Sequence, residues 1–294
     1  MLTKSTLTEK YHTASLTKKC FSQGNITPIH LACSNPNLAV IKKLMEQSTD
    51  VNVCDTQNYK PLHFAAGNEN VEVIEYLLTL GANPFDITTQ KRSALHCAAL
   101  AGRPHNITAL LSKRPEIWKM RDKENMSAFG YACQSGNSAC ILAFLDTKVV
   151  KAGAGQGPDR ISPLGWAALQ GNFDLCQTLI ESYRARVMSK DKFKRTPIMH
   201  AVMNGHARVA SLLLQQGSDW NHSDSSGNTP LHYAAGFGHK QCIDLLLKHG
   251  AEINAENMWR TTPINIAMLC NHVGTVRHLL EVEGVDVNGK DDKG

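Results

Sequence analysis

The phrase Thr27-Pro28-Ile29-His30-Leu31-Ala32 returns seven more times along the chain, for example as Lys60-Pro61-Leu62-His63-Phe64-Ala65. The second position of the phrase, the Pro slot, serves as the reference within each copy. The eight Pro slots hold Pro28, Pro61, Ala94, Ala128, Pro163, Pro197, Pro230 and Pro263. Their successive spacings are 33, 33, 34, 35, 34, 33 and 33 residues. This period predicts a stack of similar units, because one such unit is too small to bury its own apolar face.

Each copy predicts two helices. Ser or Thr before Pro is typical of a helix start, because the hydroxyl caps the first turn and Pro lacks only an N–H that would stay unpaired there. Counted from the Pro slot, apolar or small residues at +1, +4 and +5 share one helix face, as Leu231, Ala234 and Ala235 do. A second apolar set at +12, +13, +16 and +17 predicts the second helix, as in Val73, Ile74, Leu77 and Leu78. Gly81 and Gly250 are then predicted to end such helices.

The eight in-phase copies resemble those of ankyrin-repeat proteins, and the resemblance covers roughly residues 22–294. It implies an all-α solenoid of helix-turn-helix units with projecting β-hairpin fingers. It also implies binding of a protein or peptide through the finger tips and the concave helix surface, with no catalysis and no cofactor. The histidines of the phrase, and those of the Gly-His turns at His206 and His239, are by the same resemblance hydrogen-bonding posts between adjacent loops.

The domain organisation follows from the phase of the repeat. Residues 1–21 lack the phrase, and Leu7, Tyr11 and Ala14 are spaced like one helical face, so we expect an N-terminal capping segment there. The array occupies residues 22–294. Residues 285–294 read like the opening of a ninth copy, which indicates a longer parent chain.

The composition is typical of a soluble globular protein whose cysteines are reduced. Hydrophobic residues make up 42% and charged residues 19%, the net charge is +5, and no apolar run approaches the ~20 residues of a membrane helix. We therefore expect no membrane insertion by this segment. The nine cysteines are odd in number and fall mostly at core positions of the helices, which favours thiols in a reducing, cytoplasmic compartment. The sequence contains no paired C-x-x-C motif of the kind that binds zinc, so we expect no metal site.

Positions +3, +6 and +7 of the first helix are predicted to face away from the second helix and to line a groove. Large aromatic and sulfur side chains there are typical of an interface core. The predicted groove residues are Tyr131, Trp166, Leu169, His200, Met203, Tyr233 and Phe237. The alternative is that +3 is half buried against the fingers and merely tolerates bulk.

The finger tips form a second candidate surface, rich in cations. Its predicted residues are Lys91, Arg92, Arg160, Phe193, Lys194, Arg195, Trp259 and Arg260. Tips of neighbouring repeats lie side by side in a solenoid, so these residues predict a ridge that attracts an acidic protein segment. An ordinary solvated basic edge is the alternative. Nucleic acid, with Phe193 and Trp259 stacking on bases, is disfavoured by the small net charge and the lack of a nucleic-acid motif.

The function predicted is non-covalent protein binding, as an adaptor or scaffold. No catalytic triad can be assigned from the sequence, and an open solenoid surface lacks the enclosed cavity that catalysis favours. Two alternatives stay open. The array is a spacer or subunit of a large assembly, or it regulates an enzyme or channel region that lies beyond residue 294.

Overall fold

The computed structural model describes residues 24–35, 37–47 and 49–287. Contacts within the chain divide it into two compact units, unit 1 (Met1–Val150) and unit 2 (Lys151–Gly294). Each unit holds four copies of the repeat, numbered here 1 to 8 by their Pro slots. The capping segment expected at residues 1–21 and the end of the expected ninth copy, residues 288–294, lie outside the described residues.

Every copy contributes two helices to its unit. In unit 1 they are α1 (Pro28–Ser34), α2 (Leu38–Met45), α3 (Pro61–Ala66), α4 (Val71–Thr79), α5 (Ala94–Leu100), α6 (Pro104–Lys113), α7 (Ala128–Ser135) and α8 (Ser138–Asp146). In unit 2 they are α9 (Pro163–Leu169), α10 (Phe173–Glu181), α11 (Pro197–Met203), α12 (Ala207–Gln215), α13 (Pro230–Gly236), α14 (Lys240–Lys248), α15 (Pro263–Leu269) and α16 (Val273–Leu280). A 3₁₀ turn at Pro115–Lys119 follows α6. All eight first helices begin at the Pro slot, as predicted.

Small residues bring the first helices together. Ala65 and Ala66 in α3, and Ala234 and Ala235 in α13, are fully buried. Within each unit, every first helix contacts the first helix of the next copy. A methyl group fills little space between the helices, so their backbones approach closely. The predicted stripe at +1, +4 and +5 is therefore the packing face.

The second helices pack onto the first helices and complete the core. Ile74 and Leu77 in α4 are fully buried, and equivalent side chains occupy the same positions in the other copies. Gly81 and Gly250 follow α4 and α14 with φ of 89° and 88°. This left-handed backbone carries no Cβ penalty at glycine, so both glycines end their helices as predicted.

Buried thiols are part of the core. All eight cysteines among the described residues are unbridged, and six of them are buried: Cys33, Cys97, Cys133, Cys140, Cys176 and Cys242. Burial raises the pKa of Cys33 to about 12 and that of Cys140 to about 11. These cysteines stay protonated and pack as small apolar side chains.

In the four copies that have it, the histidine of the phrase links the copy to the next finger. His96 Nδ1 accepts from the backbone N–H of Ser93 at the start of its own helix, at 3.2 Å. Its Nε2 lies 3.2 Å from the carbonyl oxygen of Met126 in the following finger. One nitrogen must accept and the other must donate, so the ring is neutral with its proton on Nε2. His30, His63 and His232 make the same pair of contacts.

The Gly-His histidines also bridge neighbouring copies. His206 Nε2 lies 3.1 Å from the carbonyl oxygen of Leu169, and His239 Nε2 lies 3.2 Å from that of Met203. Each ring therefore reaches the C-terminal end of the preceding first helix, where carbonyl groups lack helical partners. Both sets of histidines form hydrogen bonds between neighbouring copies, as the family resemblance implied.

The fingers are tight turns rather than paired strands. Among the described residues, the only β pairing is an isolated antiparallel bridge between Gln156 and Ile161. In most of the other fingers an acidic or amide side chain closes the turn; Asp224 Oδ1, for example, accepts from the backbone N–H groups of Ser226 and Asn228. In repeat 3 the hydroxyl oxygen of Thr88 does the same for Gln90 and Arg92. The expectation of projecting fingers is met, but the β-hairpins within them are reduced to turns.

The buried histidines predict an acid-sensitive fold. Burial lowers the pKa of His63 and of His96 from 6.5 to about 4. The unfolded chain binds protons to these rings below pH 6.5, whereas the folded chain does not until about pH 4. The stability present above pH 6.5 is therefore lost between those two values, by about 3 kcal/mol for each ring at ~1.4 kcal/mol per pKa unit. Urea denaturation at a series of pH values measures this slope.

A matched pair of variants isolates the effect. Repeat 8 carries Asn265 at the phrase position, so His96→Asn is a substitution that the repeat already accommodates. We expect His96→Asn to make the dependence of unfolding free energy on pH shallower by one proton. His105 is exposed, so His105→Asn is expected to leave the slope unchanged. Equal slopes for His96→Asn and the parent chain would contradict the assignment.

Candidate partner-binding surfaces

Four of the seven predicted groove residues are buried. Tyr131, His200, Met203 and Tyr233 each expose 7% or less of their surface. The expectation that these side chains face outward is wrong. The alternative, in which +3 packs against the fingers, describes Tyr131, His200 and Tyr233, whereas the buried Met203 lies at +6. These four side chains lie beneath the surface and are not accessible to a partner.

The tyrosines at +3 are held by the carboxylate that closes the finger turn. Asp224 uses Oδ1 for the turn, and its Oδ2 accepts from the Tyr233 hydroxyl at 2.5 Å. In unit 1 the Tyr131 hydroxyl makes the same bond to Asp122 Oδ2. Burial raises the pKa of both phenols, so they remain protonated donors. A tyrosine at +3 therefore satisfies a buried carboxylate nine residues before it.

Repeat 6 uses a cation and a histidine for the same purpose. Asp191 Oδ2 lies 2.7 Å from Arg195 Nε and 3.3 Å from His200 Nε2. Burial raises the pKa of Asp191, but His200 and Arg195 outweigh this and hold it below its usual value. Burial lowers the pKa of His200 despite the nearby carboxylate. Arg195 is thus buried, and its prediction as an exposed tip residue is wrong.

Arg92 in unit 1 is also drawn inward. Its Nη2 donates to the Tyr131 hydroxyl oxygen at 3.1 Å, and its guanidinium lies 5.4 Å from the centre of that ring. Its Nε is 3.5 Å from Asp122 Oδ2. Arg92 is therefore a half-buried support for the turn, and its guanidinium is occupied by this chain's own groups.

Three predicted groove residues keep accessible surface in unit 2. Trp166 and Leu169 on α9, and Phe237 directly after α13, are half-exposed. Leu269, at +6 of α15, is 78% exposed and extends this apolar set. The first helices of unit 2 contact one another in sequence, so these residues share one face, called here the helix face (Trp166, Leu169, Phe237 and Leu269).

The finger apexes of unit 2 are joined by backbone hydrogen bonds. Lys192 N donates to the Asp159 carbonyl at 2.7 Å, Ser225 N to Phe193 at 2.8 Å, and Met258 N to Ser226 at 3.0 Å. The apexes therefore lie side by side, as predicted within a unit. We call this row the unit 2 ridge (residues 159–160, 192–194, 225–226 and 258–260). Unit 1 has similar bonds, from Thr89 to Gln57 and from Lys123 to Gln90.

Most predicted tip residues are exposed at these apexes. In unit 2 they are Arg160, Phe193, Lys194, Trp259 and Arg260, and in unit 1 it is Lys91. Met258 was not predicted, although it is 71% exposed beside Trp259. Its position directly before Trp259 at the apex was the available signal, because apex side chains project away from the helices.

The described residues contain neither a cluster of metal ligands nor a helix that could span a membrane. No group of three His, Cys, Asp or Glu side chains within residues 24–35, 37–47 and 49–287 is arranged to hold a metal ion. In the same ranges, every helix is too short or too polar to traverse a lipid bilayer. Accessible apolar side chains lie on the helix face, and exposed apolar side chains lie beside cations on the unit 2 ridge.

Comparison with known proteins agrees with the repeat geometry. The family Ankyrin repeats (3 copies) matches over residues 7–88, 29–121, 164–257 and 217–291, which together cover most of the chain. The chain belongs to the ankyrin-repeat family. Ankyrin repeats in general are protein-interaction modules, and the all-α fold described above is that of this family.

Several large proteins contain similar ankyrin repeats. The poly [ADP-ribose] polymerase tankyrase of Caenorhabditis elegans is 33% identical over 200 residues, 62% of this chain and 9% of that protein. Alpha-latrocrustotoxin-Lt1a of Latrodectus tredecimguttatus is 31% identical over 116 residues, 38% of this chain and 8% of the toxin. The human transient receptor potential cation channel subfamily A member 1 is 29% identical over 120 residues, 37% of this chain and 10% of the channel. The chain thus spans a tenth or less of these relatives' length.

The buried role of Tyr233 can be tested directly. Tyr233→Phe removes the hydroxyl that donates to Asp224 Oδ2 and leaves a buried carboxylate oxygen without that bond. We expect a loss of about 2 kcal/mol in unfolding free energy, typical of a hydrogen bond to a charged group. Urea denaturation measures it, and Tyr76→Phe on the half-exposed face of α4 serves as the control with little change. An unchanged midpoint for Tyr233→Phe would contradict the burial argument.

Proposed function

We propose that this chain is a non-catalytic protein-interaction module, an adaptor or scaffold that binds a partner through the helix face and the finger tips. The helix face of unit 2 carries the proposal. Trp166, Leu169 and Phe237 keep accessible surface on first helices that are packed by fully buried alanines. A large apolar side chain on a rigid base loses little entropy on binding, which is the character of an interface anchor.

The unit 2 ridge adds charge to the proposed interface. Exposed Arg160, Lys194 and Arg260 would speed the encounter with an acidic protein segment and make its rate salt-dependent. His200, Met203 and Tyr233 are buried in unit 2 and would support these surfaces from within, as Tyr131 would support the fingers of unit 1. In unit 1, Lys91 is exposed at its apex.

Several histidines and cysteines among the described residues are committed to structure. The phrase histidines have both nitrogens paired with the backbone, and burial raises the pKa of Cys33, Cys140 and Cys176. Such rings and thiols are poor bases and nucleophiles at neutral pH. The unbridged cysteines also support the proposal of a reducing, cytoplasmic setting.

A second candidate is regulation of a larger protein. Two of the similar proteins are named as a polymerase and a cation channel, and this chain matches about a tenth of each. Ankyrin repeats in such proteins accompany other domains. In this reading the helix face binds a segment of the same polypeptide or of its assembly instead of a separate adaptor target.

Replacing the anchors tests the proposed interface. Trp166→Ala with Phe237→Ala removes two half-exposed aromatic side chains from the helix face. We expect at least a tenfold loss of affinity for proteins that the parent chain captures from cell extract, because such anchors each contribute about 1–2 kcal/mol. Quantitative mass spectrometry of the captured proteins is the measurement.

The matched control is Gln177→Ala on the exposed side of α10, which should keep the full set of captured proteins. Thermal unfolding of each variant checks that the fold is retained. If the double variant folds and captures the same proteins in the same amounts, the helix face is not the binding surface.

A further inference from the structure

The unit 2 ridge presents apolar side chains at its apexes. Met258 is 71% exposed, Trp259 50% and Phe193 40%. Lys192 lies 5.6 Å from the centre of the Phe193 ring, so cations flank the aromatic side chains directly. Exposed apolar side chains that neighbour one another, as Met258 and Trp259 do, are typical of a binding surface.

Three cations of the ridge occupy a backbone conformation that disfavours them. Arg160, Lys194 and Arg260 have φ of 56°, 61° and 55°. In repeat 7 the same turn position holds Gly227, with φ of 79°. A left-handed residue with a Cβ costs about 1 kcal/mol, and glycine avoids that cost. Cations kept at strained positions point to a function for the charge.

Two carboxylates of these turns are too buried to neutralise the cations at the apex. Asp191 and Asp224 are each only 8% exposed, and both accept hydrogen bonds from backbone N–H groups of their turns. Glu256 lies 3.6 Å from Arg260 Nε, and Asp159 is half-exposed. Lys192, Lys194 and Arg160 therefore leave the ridge with an excess of positive charge.

We propose that the unit 2 ridge docks onto a membrane surface that contains anionic lipid. Trp259 and Met258 would enter the headgroup region, and the neighbouring cations would bind lipid phosphate and carboxylate groups. Each Lys or Arg near such a surface contributes about 1 kcal/mol. This inference goes beyond the proposed protein binding and does not depend on it.

The geometry of the ridge suits a flat anionic surface. A protein anchor residue is usually enclosed in a pocket of its partner, and each such pocket must match one side chain. The ridge instead offers aromatic, thioether and cationic side chains on adjoining apexes that are fixed by backbone bonds of 2.7–3.0 Å. A planar lipid surface engages all of them at once and requires no ordering of the turns.

Vesicle co-sedimentation tests the proposal. The full chain is mixed with phosphatidylcholine vesicles that contain either no anionic lipid or about 30 mol % phosphatidylserine. We expect binding to the phosphatidylserine vesicles alone, falling as salt is raised because surface charges are screened. Lys194→Asn with Arg260→Asn should weaken binding about 25-fold, or about fivefold for each cation removed. Met258→Ser with Trp259→Ser should weaken it at least tenfold.

The asparagine variants are chosen because asparagine tolerates the left-handed turn, so their stability should be equal to or above that of the parent chain. Lys240→Asn with Lys248→Asn removes two exposed cations from α14 and should leave vesicle binding unchanged. Trp166→Ala with Phe237→Ala should also leave it unchanged, which separates this test from that of protein binding. Equal sedimentation with both vesicle types would overturn the proposal. The proposal would also be overturned if the ridge variants no longer captured proteins and the parent chain did not bind the vesicles.

Discussion

A single side chain closes nearly every finger turn, and the placement of both surfaces depends on it. Asp55, Asp122, Asp191, Asp224 and Asn257 each accept two backbone N–H groups of their own turn through one oxygen. Without strands to pair these groups, the turn would leave them unsatisfied. The turns of Asp55, Asp122 and Asn257 also receive the histidine of the preceding copy at a backbone carbonyl. These fingers therefore depend on their neighbours, which contributes to the mutual dependence of the repeats within a unit.

The second oxygen of the closing carboxylate accepts a further hydrogen bond, which in repeats 4 and 7 comes from the tyrosine at +3. A buried carboxylate needs a donor, and Tyr131, Tyr233 and Arg195 provide one. Repeat 5 has Gln156 in place of a carboxylate at the position that closes this turn, and its Trp166 remains half-exposed. The helix face thus includes large side chains that the turns do not use. The buried positions of Tyr131 and Tyr233 follow from their bonds to a carboxylate nine residues earlier.

Much of the fold was readable from the sequence because it depends on local rules. Pro slots, alanine pairs and terminal glycines set helix starts, packing faces and helix ends at the predicted residues. The buried role of Tyr233 was not readable in the same way, since it rests on a contact between a turn and a helix. Lys194 and Arg195 are adjacent cations, yet one projects from a left-handed apex and the other turns inward to Asp191. Composition alone cannot distinguish them, because the backbone dihedrals of the turn set their directions.

The finger of repeat 5 illustrates where the chain tolerates added length. Its closing hydrogen bond joins Gln156 N to Ile161 O, one residue further along than the bond from Asp191 N to Arg195 O in repeat 6. The extra residue is absorbed within the apex, and α9 still begins at Pro163. An insertion inside a helix would instead rotate every later side chain by about 100°. Finger apexes are consequently natural sites for grafting a foreign peptide loop, such as an epitope, without changing the packing of the repeats.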